Sequence, residues 1–152
     1  MTISIETLTG LRHEFHRFPE LGFQETQTKR KIAKFLRAKG LEVVEGVGVV
    51  GILRSGAGKK TIGLRADMDA LPIQETSKHS YSSTHPGVMH ACGHDGHMTM
   101  LLGAAEELAH SLDFDGTVIF IFQPNEENGL GAKAMLDEGL LSKFPISNIF
   151  AV

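Results

Sequence analysis

The apolar positions of this chain repeat first with a helical period and then with a strand period. Over residues 4–17, Leu8, Leu11 and Phe15 recur at three- and four-residue spacing, with Ser4, Glu6 and Thr7 supplying cap chemistry. This predicts a first helix, which Phe18-Pro19-Glu20-Leu21-Gly22 breaks. A second helix is expected from about Glu25 to Lys39, with Ile32, Phe35 and Leu36 as its stripe and Gly40 as its terminator. Residues 41–45 and 49–54 read as strands, and Ser55-Gly56-Ala57-Gly58 turns the chain into a third strand at 61–66. Residues 73–90, rich in Ser, Thr and His, read as a loop. The next helix runs from about Gly96 to Ser111, with Met100, Leu101, Ala104, Ala105 and Leu108 as its expected buried face. Thr117 to Phe122 is an unbroken β-branched and aromatic run, the pattern of a strand buried on both faces. A short helix over 131–138, closed by Gly139, and a strand from Ile146 to Val152 complete the chain.

This alternation predicts an α/β fold with a mixed, partly parallel sheet and helices on both faces. The 152 residues fit one domain, and 41% hydrophobic against 22% charged residues is enough to build a core. No repeat, low-complexity tract or linker interrupts them. The net charge of -3 argues against a nucleic-acid-binding domain, and the basic run from Lys29 to Lys39 reads as one solvated helix face. The first fifteen residues lack a basic start followed by an apolar run, and no stretch is apolar enough to span a membrane. A single cysteine, Cys92, leaves no internal disulfide and suits a reducing compartment, so the cytoplasm is the expected location.

Two patterns are set aside. Gly46-Val47-Gly48-Val49-Val50-Gly51 matches a dinucleotide-binding glycine pattern, but it runs into strand-like residues instead of opening a helix, so it reads as a turn between strands. His13-Glu14-Phe15-His16 lacks the second spacer residue of a zinc-protease helix, and its histidines read as ordinary surface or core residues.

Three segments carry chemistry. Asp67 and Asp69 sit where the third strand ends, two residues apart, so an extended backbone points both to one side. His90-Ala91-Cys92-Gly93-His94-Asp95-Gly96-His97 packs five potential metal ligands into eight residues at a helix start. Cys92 and His94 form a compact pair, and Asp95, His97 or both can complete the site or orient its ligands. Glu126 and Glu127, in Gln123-Pro124-Asn125-Glu126-Glu127, follow the buried strand at its C-terminal end, one suited to bind metal and the other to face a water, as metal-assisted hydrolysis requires. Convergence of the three on one sheet edge points to a catalytic metal site, since a closed structural zinc site would leave the acids unexplained. Cys92 as a nucleophile with a histidine base is the other chemistry open to these residues.

These residues also resemble a known family. The runs RADMDALPIQE, HACGHDGH with the adjoining MTMLLGAAEEL, GTVIFIFQPNEENGLGAKAML and LRHEFHRFPELGFQET are similar to hippurate hydrolase, N-acyl-amino-acid amidohydrolases and auxin-conjugate hydrolases. These are di-metal aminoacylase/carboxypeptidase-type enzymes with a zinc-exopeptidase-like catalytic domain. The resemblance extends over essentially all of the sequence. It implies that Cys92, His94 and Glu127 are metal ligands and that Glu126 is the general base. Asp67 and Asp69 would support the site from behind, and Asp95 and His97 belong to the same motif without direct ligation. Asn125 stands where the family commonly has a small residue. The implied cofactor is divalent zinc, manganese, cobalt or nickel, two ions in the complete enzyme, and the implied substrate is an N-acyl amino acid or small peptide. Family enzymes are often homo-oligomeric. Their remaining two histidine ligands and their inserted dimerisation or lid domain lie past the position matched by Val152. Residues 1–152 are therefore expected to be the N-terminal part of the catalytic domain. The alternative expectation is a truncated, non-catalytic segment with partial metal binding.

Overall fold

A computed structural model describes residues 3–151. Helix α1 (Ile5–Arg17) begins where the Ser4 hydroxyl accepts the Thr7 N–H at 3.2 Å, and it ends at Phe18, before Pro19. Helix α2 (Thr26–Ala38) is capped by Glu20, whose carboxylate accepts the Gln27 and Thr28 amides at 3.0 and 2.8 Å. At its far end Gly40, with φ of 84°, lets the Leu41 amide reach back to the Leu36 carbonyl at 3.1 Å.

The sheet contains β1 (Glu42–Glu45), β2 (Val49–Ser55), β3 (Thr61–Asp67), β4 (Gly116–Gln123) and β5 (Asn148–Ala151), in the order β1-β2-β4-β3-β5. The β1–β2 and β2–β4 pairs are antiparallel, while β3 runs parallel to both β4 and β5. The glycine-rich stretch after β1 is the turn into β2, as its strand-like continuation required. Strand β4 lies centrally, and its side chains alternate between two cores. Val118, Phe120 and Phe122 pack with Leu36 of α2 and with Met98 and Leu102 of α3 (His94–Ser111). Ile119 and Ile121 pack with Val50, Ile52 and Met135 on the opposite face, where α4 (Gly131–Asp137) and α5 (Leu140–Lys143) lie. Helices thus cover both faces of a mixed sheet. No helix among the described residues is long and apolar enough to cross a membrane.

Several details depart from the sequence pattern. Helix α3 starts two residues earlier, at His94, because Gly93 takes the left-handed turn (φ 93°) that begins it. Its buried face is Met98, Leu101, Leu102 and Ala105, while Met100 is 54% exposed and Ala104 only half-buried. The helix is apolar around much of its circumference, so periodicity leaves the phase of the buried stripe open. The short helix α5 has no counterpart in the sequence pattern, and β5 begins at Asn148 instead of Ile146.

The rotation of α3 has a measurable consequence. Met98→Ala should cost about 2–5 kcal/mol of unfolding free energy, as a core truncation does. Met100→Ala should stay within about 0.5 kcal/mol. Urea denaturation of the two variants checks this, and the reverse ranking would return the buried face to the one the sequence pattern predicts.

Candidate metal centre

Strands β3 and β4 are parallel and in register to their ends, with Asp67 opposite Gln123. The loops that leave them therefore emerge at the same sheet edge, the place where open α/β sheets collect ligands. Helix α3 packs against β3 and starts at this edge with His94. The three segments singled out in the sequence meet here.

His94 lies at the centre and is buried. Its Nδ1–H donates to the Asp69 carbonyl at 2.8 Å. A carbonyl oxygen only accepts, so this bond fixes the proton on Nδ1 and turns Nε2 toward the acids. Asp67 Oδ1 lies 3.5 Å from Nε2, and Glu126 Oε2 and Glu127 Oε1 each lie 3.8 Å away. Donor atoms of Cys92, His94 and Glu127 fall within 4.8 Å of one another, as do those of Asp67, His94 and His97. Asp67 is held in turn, accepting from His97 Nδ1 at 2.8 Å and from Arg65 at 2.9 Å. The Asp69 carboxylate accepts the successive amides of Glu126 and Glu127 at 2.9 and 3.1 Å. Asp67 and Asp69 both reach His94, Asp67 at Nε2 and Asp69 at Nδ1, with a carboxylate oxygen of each 3.5 Å away.

The electrostatics match a cation-binding site. Burial pushes the Asp69 carboxyl up, but hydrogen bonds from His94 and the two amides outweigh it and hold the group below its ordinary value. Burial likewise works against charge on His94, yet Asp69 and Asp67 prevail and raise it. The Cys92 thiol is pushed up by burial and by the carboxylates of Glu127, Glu126 and Asp67. Reactive cysteines sit in electropositive surroundings, so this acidic setting counts against Cys92 as a free nucleophile. A thiol, an imidazole and a carboxylate form a donor set that zinc and neighbouring divalent metals accept, and a bound cation would answer the surplus of acids.

Asp95 sits elsewhere. A residue one step along a helix from His94 points about 100° away. Its Oδ2 takes Arg12 at 3.2 Å and His16 at 2.9 Å, tying α3 to α1. His16, which like His13 reads in the sequence as an ordinary histidine, is buried, and its other nitrogen faces Glu75 at 3.3 Å. Burial pushes Glu75 up, but the Ser77 hydroxyl, the Ser83 amide at 2.5 Å and His16 outweigh it and hold the carboxyl at about 2. Close by, neither ring nitrogen of buried His90 has a partner among the described residues, and burial drives its pKa down to about 4. Arg12 and Glu75 carry no signal of this cluster in the sequence. The only hint is the His13/His16 pair, whose spacing fits no metal motif.

The model of peptidase family M20/M25/M40 matches residues 63–152, which include every segment of this centre. The chain is 51% identical over 143 residues to the hippurate hydrolase of Campylobacter jejuni, covering 92% of this chain and 37% of that protein. It is 48% identical over 139 residues to thermostable carboxypeptidase 2 of Saccharolobus solfataricus, covering 87% of this chain and 35% of that protein. Among solved structures, the YXEP protein of Bacillus subtilis, a dinuclear metal-binding peptidase of the M20 family, superposes with a TM-score of 0.91 at 38% identity, covering 96% of this chain and 42% of that one. The chain thus spans little more than a third of the length of these two curated relatives.

The Glu75 cluster gives stability a defined pH dependence. The folded-state value of about 2 lies below the ordinary 4.5, so the stabilisation is complete above pH 4.5 and is lost as pH falls toward 2. Urea midpoints of the wild type and Glu75→Gln should differ near neutral pH and converge over that window. A gap that persists at the acidic end would show that Glu75 is not the group responsible.

Proposed function

Since the chain belongs to peptidase family M20/M25/M40, we propose that it forms the N-terminal, metal-holding part of the catalytic domain of a hydrolase that cleaves amide bonds in N-acyl amino acids or small peptides. The observation that carries this reading is the meeting of Cys92, His94 and Glu127 with Glu126 beside them, 3.8 Å from the same imidazole nitrogen that Glu127 approaches. The names of the relatives, a hippurate hydrolase and a carboxypeptidase, support the substrate class.

Cys92, His94 and Glu127 would hold a divalent zinc, manganese, cobalt or nickel ion, the first of two in the complete enzyme. Such an ion supplies Lewis acidity, polarising an amide carbonyl and making a water easier to deprotonate. Of the two glutamates, the side chain of Glu126 is the more accessible, at 40% against 23% for that of Glu127. In this reading Glu126 takes a proton from the attacking water and returns it to the leaving amine as the C–N bond breaks. Asp69 fixes the tautomer of His94 and the amides of the glutamate pair, so that the base does not drift from the donor cluster. Asp67 holds His97 and Arg65 at the rim of the site.

Glu126→Gln should lower chelator-sensitive release of amino acid from N-benzoyl and N-acetyl amino acids by roughly 10²- to 10⁴-fold. Bound metal, measured by equilibrium dialysis, should be unchanged. Undiminished release would remove Glu126 from the role of base. A wild-type chain that binds metal without releasing product would be a metal-holding segment that does not turn over.

A further inference from the structure

Buried carboxylates are costly unless their oxygens are engaged, so each one calls for an account. Glu25 is 1% exposed and lies just ahead of α2. It occupies the N-cap position, but its side chain makes no capping bond, and Glu20 accepts the first-turn amides. Instead Glu25 Oε1 accepts the amide of Asn125 at 2.9 Å, across 100 residues of sequence. The next two amides, those of Glu126 and Glu127, are the ones held by Asp69. Three consecutive backbone N–H groups are therefore bound by two buried carboxylates from different parts of the chain.

The loop they hold is conformationally demanding. Asn125 is buried and has a φ of 46°, a left-handed backbone that non-glycine residues enter at a cost and that asparagine tolerates better than most. Its Oδ1 accepts from Asn128 at 2.6 Å, and its carbonyl accepts the Gly131 amide at 3.1 Å. A side chain at Gly22 would collide with the Asn125 side chain, so the segment bearing Glu25 is pressed against this loop. A strained residue persists only where its surroundings over-determine it. Without the Glu25 acceptor, Asn125 can relax, and the amides of Glu126 and Glu127 turn away from Asp69.

We infer that Glu25 is a positioning residue that locks Asn125 in its left-handed turn and thereby aims the Glu126–Glu127 pair at the metal-donor cluster. This rests on the reading of Glu127 as a metal donor. The test is a cobalt(II) titration of the 152-residue chain, monitored by the thiolate-to-cobalt absorption band that Cys92 would give, together with amide hydrogen exchange by NMR. Glu25→Ala should weaken cobalt binding about tenfold or more, the usual effect of removing a group that orients ligands. Exchange protection should fall at Asn125, Glu126 and Glu127, while the β4 amides from Val118 to Phe122 keep theirs. General destabilisation would not produce that pattern. Glu25→Gln keeps an acceptor oxygen and should stay within about threefold of wild type. Glu25→Asp keeps the charge but withdraws it by one methylene, and should resemble Glu25→Ala. If Glu25→Ala does not fold, the Gln and Asp variants decide the matter, and equal cobalt constants for the two overturn the inference. Wild-type affinity and protection in Glu25→Ala or Glu25→Asp overturn it as well. A wild-type chain that gives no thiolate band overturns the metal reading and this inference together, whereas a band present in the wild type and unchanged in the variants overturns this inference alone.

Discussion

The site depends on the hydrogen bonds of Asp69. Its carbonyl takes the Nδ1 proton of His94, and its carboxylate takes the amides of Glu126 and Glu127. One residue just past the end of β3 thus joins the start of α3 to the loop after β4. The residue is 1% exposed, and a carboxylate so deeply placed is stable only while its oxygens are satisfied. The same requirement that keeps Asp69 charged therefore keeps the three segments together. The parallel pairing of β3 with β4 makes this possible, because it brings both strand ends to one edge.

Two neighbouring polar clusters use similar residues with different charge balance. Around Asp95 and Glu75, the acids are answered by Arg12 and His16, and the result is a tie between α1, α3 and the long loop. Around His94, four carboxylates (Asp67, Asp69, Glu126 and Glu127) surround one imidazole. There the thiol of Cys92 is pushed up by burial and by the acids instead of being drawn toward thiolate. A divalent cation would reverse that effect and satisfy the site. In the first cluster the acids meet cationic partners from the chain itself, and the second asks for a charge from outside it. Helix α3 separates them: His94 and Asp95 are consecutive residues on its first turn and face different neighbours.

The strand ends and their chemistry were legible from the residues. The unbroken run Thr117–Phe122 has one reading, a strand buried on both faces, and the structure places it in the middle of the sheet order, between β2 and β3. Asp67, Asp69, Glu126 and Glu127 read alone as ordinary polar or surface residues, and they stood out with Cys92 and His94 because acids that follow two strands accompany a dense run of metal-ligand types at a helix start. The glycine-rich turn after β1 could be told from a nucleotide loop because its glycines lead into a strand and not a helix. Family resemblance added proposed roles for these residues, while their proximity came from the sheet.

The features that the pattern of residues left open share a cause. Periodicity reports that a side chain is buried and says little about what it meets. In α3 the apolar residues run so far round the helix that the buried stripe could be phased more than one way, and packing against Phe120 and Phe122 selected Met98 and Leu102 over Met100. Asp95 looked like part of the metal motif because it sits inside it, but a helix turns adjacent residues apart, and Arg12 and His16 took it. Glu25 offered no signal, since its partner is a backbone amide 100 residues away and backbone amides are the same in every sequence. Local chemistry, written in residue type and spacing, was fixed by the chain alone. The pairing of distant groups was fixed by how the sheet and its helices bring them within hydrogen-bond reach.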